Sequence, residues 1–267
     1  MKRSAEGKVG VHAARDVAGG RQLAIELDTE PERVPGILLV PSADERAQPA
    51  PAVLLLHGFT SRKERMAEGI GRALLHHGVA SLAIDLPLHG AREGRLEDLS
   101  PRNPLRLVST WRMALGEAGQ AFDCLESMPA IDAERLALIG YSLGAYLGVT
   151  IAASERRVRA VALAAGGDLP EELPLARLVR TVVDPRRAVR ALAGRPLLML
   201  NGRYDRTIRP AQAERLYESA GEPKQLRWYQ GGHWPPTSEI EFAARWMAEQ
   251  LREARTSRRA ASEGRRA

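Results

Sequence analysis

Apolar positions in this chain follow two alternating rhythms. Short runs dense in leucine, valine and isoleucine, at 53–56, 79–84, 158–164 and 197–200, have the length and continuity of strands buried on both faces. Between them, apolar residues recur every three or four positions, which predicts helices over about 63–77, 104–128, 143–153 and 238–251. Gly78 ends the first of these helices. Segments 21–27 and 37–41 read as an opening antiparallel pair joined by a turn holding Pro31 and Pro35, and 136–139 and 225–229 complete eight strands. Strands that alternate with helices in this way predict an α/β fold with a mostly parallel eight-stranded sheet and helices on both faces.

Segment 167–194 breaks the rhythm, because it offers two short helix-like pieces, 175–182 and 185–192, instead of one crossover helix. It reads either as a small lid or as an irregular connection with no gating role. The pattern predicts one domain over 21–251, an N-terminal segment 1–20 before it, and a tail 252–267 after it. No internal repeat is visible.

At 267 residues the chain is long enough to bury one sizeable core, and its 44% hydrophobic and 27% charged content is ordinary for a globular protein. No apolar run approaches the ~20 residues that cross a bilayer, so no membrane span is expected. The first fifteen residues lack the apolar middle of a secretory signal, and the cytoplasm is the expected location. Net charge is +6, but 252–267 holds six arginines against Glu253 and Glu263, so +4 of it sits in the tail and +2 in the body. Rich in Arg, Ser and Ala, that tail reads as a disordered, solvated segment; no specific nucleic-acid partner is expected. The single cysteine, Cys124, falls in a helical pattern and reads as buried filler.

Gly140-Tyr141-Ser142-Leu143-Gly144 has the form G-x-S-x-G and lies directly after a buried strand and before a helix. Glycines are needed at 140 and 144 because the turn is too tight for side chains there, and Ser142 is thereby lifted clear of the sheet. A serine hydroxyl is a feeble nucleophile without a base, and the base needs a group that fixes its tautomer. Of the six histidines, His233 alone follows the last strand, in the loop Gly231-Gly232-His233-Trp234. For the acid, Asp205 follows the strand 197–200, with Asp168, after the preceding strand, as its rival.

A tetrahedral oxyanion needs preorganised donors. The backbone N–H of Leu143, next to the nucleophile, is one candidate, and that of Phe59 in His57-Gly58-Phe59-Thr60 is the other. Asp85 and His89 form a second polar pair in the loop after the strand 79–84. His89, Tyr141 and Trp234 are candidate substrate-binding residues.

Taken together, His57-Gly58-Phe59, Asp85 through His89-Gly90, the Ser142 turn, Gly202 to Asp205 and Gly232-His233 resemble the α/β-hydrolase superfamily, near its dienelactone-hydrolase-like and esterase branches. The order Ser142, Asp205, His233 is the order used in that superfamily. The resemblance implies the α/β-hydrolase fold with a small lid or none, a catalytic triad, two backbone oxyanion donors, and no metal or organic cofactor. Dienelactone hydrolases proper have cysteine where this chain has Ser142, so lactone chemistry does not carry over. The expected activity is hydrolysis of a small or medium carboxylic ester through an acyl-enzyme. A thioesterase or acyltransferase would use the same machinery, and a serine peptidase or a non-catalytic binding protein fits less well.

Overall fold

The computed structural model describes residues 9–29, 32–42, 48–94, 104–170, 180 and 183–263. Its centre is a sheet in the order β1-β2-β3-β5-β4-β6-β7-β8-β9. The strands are β1 (Val9–Val17), β2 (Gly20–Leu27), β3 (Val34–Pro41), β4 (Ala50–Leu56), β5 (Ala80–Ile84), β6 (Ile131–Tyr141), β7 (Val158–Ala164), β8 (Leu197–Gly202) and β9 (Lys224–Tyr229). From β5 through β4 to β9 every neighbouring pair is parallel, and β1, β2 and β3 add to β5 as an antiparallel extension.

Among the described residues the sheet has nine strands where eight are expected. The extra strand is β1, inside the segment expected to precede the domain, and it pairs along β2 from Val9↔Leu27 to Val17↔Gly20. Its residues are almost all exposed, so no buried face marks it in the sequence. The two-residue turn that joins β1 to β2 is set by Gly19, at φ +83°. Register shifts between Val11 and Ala13, a bulge on the outermost strand.

Helices cover both faces. Helix α1 starts as Lys63–Met66, widens into a π-helical turn over Ala67–Gly71 and finishes as Arg72–His76. It ends where Gly78 takes φ +73°, and the N–H groups of Gly78 and Val79 close back on the carbonyls of Leu75 and Leu74. Among the described residues the others are α2 (Pro104–Ser127), α3 (Leu143–Ser154), α4 (Pro185–Arg190), α5 (Pro210–Ser219) and α6 (Thr237–Glu263). The last helix runs past Leu251 to Glu263, into the segment expected to be a disordered tail, because Arg, Ala and Glu are strong helix formers whatever their solubility. The lid-like piece 175–182 lies outside the described residues except for Arg180; of the second, Pro185–Arg190 is α4, capped by Asp184, whose carboxylate accepts the Arg187 N–H.

Alternate residues of β4 enter two separate cores. Ala52, Leu54 and Leu56 pack with Trp111, Phe122 and Leu125 of α2 and Leu147 of α3, on what we call the front face. Val53 and Leu55 pack with Met66 and Leu74 of α1 and Met247 and Leu251 of α6, on the rear. All five β4 side chains are inaccessible to solvent, and each leucine so buried contributes about 1.5–3 kcal/mol. The chain leaves β4 toward β5 on one side and later returns to β6 on the other, so the loops after β4 and β6 diverge and open a crevice at the carboxyl edge of the sheet. Among the described residues no helix is long and apolar enough to cross a membrane.

Candidate active site

Ser142 stands at the crevice, in the turn from β6 to α3. Its backbone lies at φ 53°, ψ −112°, a conformation costly for any residue with a side chain. The flanking glycines make the turn possible: a Cβ on Gly140 would lie 2.1 Å from the carbonyl oxygen of Gly144, and one on Gly144 would lie 2.2 Å from that of Leu56. The Ser142 N–H donates to Ala164 O at 2.9 Å, and its carbonyl accepts from Ala145 N at 2.9 Å, which pins the strained residue to β7 and to its own helix. Only the hydroxyl is left to face outward, and the residue is 8% exposed.

His233 reaches this hydroxyl from the loop after β9, with Nε2 2.9 Å from Ser142 Oγ. Its Nδ1 lies 2.8 Å from Asp205 Oδ2. Asp205 is itself held, because its Oδ1 accepts the N–H groups of Thr207 at 2.8 Å and Ile208 at 3.0 Å. The Asp205 and His233 loops are docked on each other by Tyr204 N donating to Gly231 O at 2.9 Å, and Gly202 allows the contact, since a Cβ there would sit 2.1 Å from Gly232 O. The rival acid, Asp168, is engaged elsewhere: its two oxygens accept from Arg180 at 3.0 Å each, and Arg215 lies 3.6 Å away.

The β4 loop closes over the same turn. A Cβ on Gly58 would lie 2.8 Å from the Tyr141 ring and 3.2 Å from Ser142 Cβ, so only glycine lets the backbone just before Phe59 come this close to Ser142. Leu143 is the first residue of α3, and its N–H belongs to the first turn, where helical N–H groups have no partner within the helix. The fully buried His57 braces the loop: Nδ1 donates to Gly58 O at 2.8 Å, and Nε2 accepts the Leu86 N–H at 3.0 Å. Burial pulls its pKa down to about 4, so the ring is neutral and this tautomer is the one both bonds require.

Asp85 and His89 do not form the expected pair. Asp85 accepts from both the backbone N and Nζ of Lys63, at 2.9 and 2.7 Å, and from Ala91 N at 3.0 Å. Gly90 is obligatory beside it, since a Cβ there would fall 2.2 Å from the carboxylate. The His89 Nδ1 donates instead to Pro87 O at 2.8 Å, and burial lowers the pKa of the ring. Lys63 has no signature in the sequence, because a lysine at a helix start ordinarily reads as a solvated surface group.

Tyr141 and Trp234 stack with ring centroids 4.8 Å apart, and the Arg65 guanidinium lies over Trp234 at 4.1 Å. On the front face a cavity of about 280 Å³, almost wholly apolar, is walled by Leu143, Tyr146, Trp111, Leu86 and His89. Above the β4 loop an open cleft of about 680 Å³ runs from His89 to Trp234. Among the described residues no three His, Cys, Asp or Glu side chains are grouped as a metal site. The arrangement can deprotonate the Ser142 hydroxyl through His233 and present N–H groups to charge that develops on a bound carbonyl.

The sequence profile of the Alpha/beta hydrolase family matches residues 53–237. A polyketide transferase, ATR5, of Stachybotrys chlorohalonatus is 30% identical over 151 residues, which are 56% of this chain and 48% of that protein; the chain thus spans about half the length of this relative. Among solved structures, a cold-adapted esterase from an Arctic intertidal metagenomic library superposes with a TM-score of 0.72 at 20% identity, over 91% of this chain and 99% of that one. Acetyl xylan esterase 1 from Thermoanaerobacterium sp. JW/SL YS485 gives a TM-score of 0.73 at 17% identity, over 91% and 88% of the two chains.

Proposed function

Because the chain belongs to the alpha/beta hydrolase family, we propose that it is a serine esterase that hydrolyses carboxylic esters of small or medium size through an acyl-enzyme on Ser142. The observation that carries this reading is the pair of contacts from Asp205 Oδ2 to His233 Nδ1, 2.8 Å, and from His233 Nε2 to Ser142 Oγ, 2.9 Å. His233 takes the hydroxyl proton as Oγ adds to the ester carbonyl, and the oxyanion is held by the N–H groups of Phe59 and Leu143. The same imidazole gives its proton to the departing alkoxide. It then deprotonates a water that attacks the acyl-enzyme, which releases the acid and returns the proton to Oγ.

The front cavity beside Leu143 fits the substrate's apolar portion. Its lining is nearly free of polar groups, which favours esters over peptides, whose amides would be left unpaired on burial. A fluorophosphonate probe is expected to label the wild-type protein and not Ser142→Ala, with p-nitrophenyl ester hydrolysis lost in parallel. Equal labelling of both proteins removes Ser142 from this role.

Acyl transfer to an acceptor other than water is the second reading, favoured by the likeness to a polyketide transferase. Product analysis with a competing alcohol separates the two: an ester product that dominates at low alcohol concentration indicates transfer, and free acid throughout indicates hydrolysis.

A further inference from the structure

Behind the nucleophile strand, on the rear face of the sheet, lies a second cavity of about 410 Å³. Its floor is Ile139, Ala162, Ala164 and Leu200 of the sheet, and its sides are Gly69 of α1 and Ile240 of α6. Protein interiors retain few voids larger than a water molecule, and a space of this size falls in the range that holds small ligands. The sequence builds it deliberately small-walled: alanine at 162 and 164, and glycine at 69 in the π-helical turn, where the helix is wider than elsewhere. An added Cβ on Gly69 meets nothing within 4 Å.

The cavity is roofed by the stacked rings of Tyr141 and Trp234, the chain neighbours of Ser142 and His233. The hydroxyls of Tyr141 and Tyr229 both donate to the His233 carbonyl, at 3.3 Å each, so the roof is tied to the loop that carries the imidazole. Entry is from the open cleft, which shares Ser61, Arg65, Glu68 and Trp234 with the cavity mouth. Two of these mouth residues, Arg65 and Glu68, are opposite in sign, and Glu239 beside them is already paired with Arg227, so the mouth favours no net charge.

We infer that this rear cavity is a binding site for an uncharged, ring-bearing small molecule, separate from the front cavity assigned to the ester. The ring would lie on the apolar floor under Tyr141 and Trp234, where edge-to-face contact with the stacked rings adds to the gain from burial alone. Its source is either a free molecule or an aryl arm of the substrate that reaches round from the cleft.

The test is calorimetric titration of indole into the Ser142→Ala protein, which makes the result independent of whether esters are hydrolysed. Gly69→Leu and Ile240→Phe, each in that background, fill the space from opposite walls; the first directs its side chain into open space and is expected to keep the melting temperature of its parent. Saturable indole binding, weakened about tenfold or more by either filling substitution, is the expected result. No saturation at millimolar indole, or unchanged affinity in both filled variants, overturns the inference. Ester kinetics of Gly69→Leu with Ser142 intact then identify the source. A raised KM for 2-naphthyl acetate with ethyl acetate unaffected makes the ring a substrate arm, and unchanged KM for both makes it an independent ligand.

Discussion

The imidazole of His57 accepts the backbone N–H of Leu86 at 3.0 Å, and with its other nitrogen donates to Gly58 O at 2.8 Å. One neutral ring thereby fixes the loop after β4 against the loop after β5. Protonation breaks the first bond, because a charged ring has no acceptor.

Stability should therefore fall in mild acid. The pKa of His57 is near 6.5 when unfolded and about 4 when folded, so between these values the unfolded chain binds more protons and stability declines as pH drops. The loss reaches about 3 kcal/mol by pH 4 and levels off only below it, with His89, lowered for the same reason, adding in the same direction. Urea midpoints measured at several pH values should show a shallower decline in His57→Gln than in the wild type.

Asp205→Asn keeps the shape of the site and loses the group that orients His233. The expected fall in kcat is about 10⁴-fold with little change in KM, measured on a p-nitrophenyl ester. Asp168→Asn should leave kcat within a few-fold of wild type, since Arg180 and Arg215, not His233, hold that carboxylate; comparable losses in both variants would make the two acids indistinguishable.

Ser142 carries backbone strain that only a residue without a Cβ escapes. Ser142→Gly and Ser142→Ala should both be inactive, but the glycine variant should be more stable by about 1 kcal/mol, the strain relieved less the greater chain entropy of glycine. Thermal and urea unfolding of the two inactive proteins give the comparison. Gly144→Ala should go the other way, with activity lost and stability reduced as the new methyl meets Leu56 O.

Arg92 and Glu117 form a bidentate pair at 2.6 and 2.7 Å, with the guanidinium fully enclosed. Burial already raises the pKa of Glu117 against the pull of Arg92. Arg92→Met strands the carboxylate and should cost about 3–5 kcal/mol at neutral pH. The deficit should shrink as pH falls and Glu117 takes a proton, and much of it should return in the double variant Arg92→Met/Glu117→Leu.

The parallel core was legible because strands buried on both faces are unbroken apolar runs; Val53 to Leu56 is one, and β4 begins only three residues earlier, at Ala50. The start of β6 was not, because Asp132 and Glu134 in its first half carry no apolar signal. The grouping of Ser142, Asp205 and His233 could be anticipated, since each follows a strand whose end lies on the same edge of the sheet. What could not be anticipated was the use of long-range polar contacts. Lys63 reaches Asp85 across twenty-two positions in the chain, which leaves His89 to bond its own loop, and neither event has a local pattern.

The bulge at Val11 and Ala13 has a consequence for the molecule's outer rim. A straight final strand would offer a regular row of N–H and C=O groups to any extended chain drifting past, and sheets with such a border tend to stick together. Here that row is interrupted near its middle, and His12 beside the kink is engaged with Glu26 of the inner neighbour at 2.9 Å. Lateral growth of the sheet on this side is thus opposed by β1 itself.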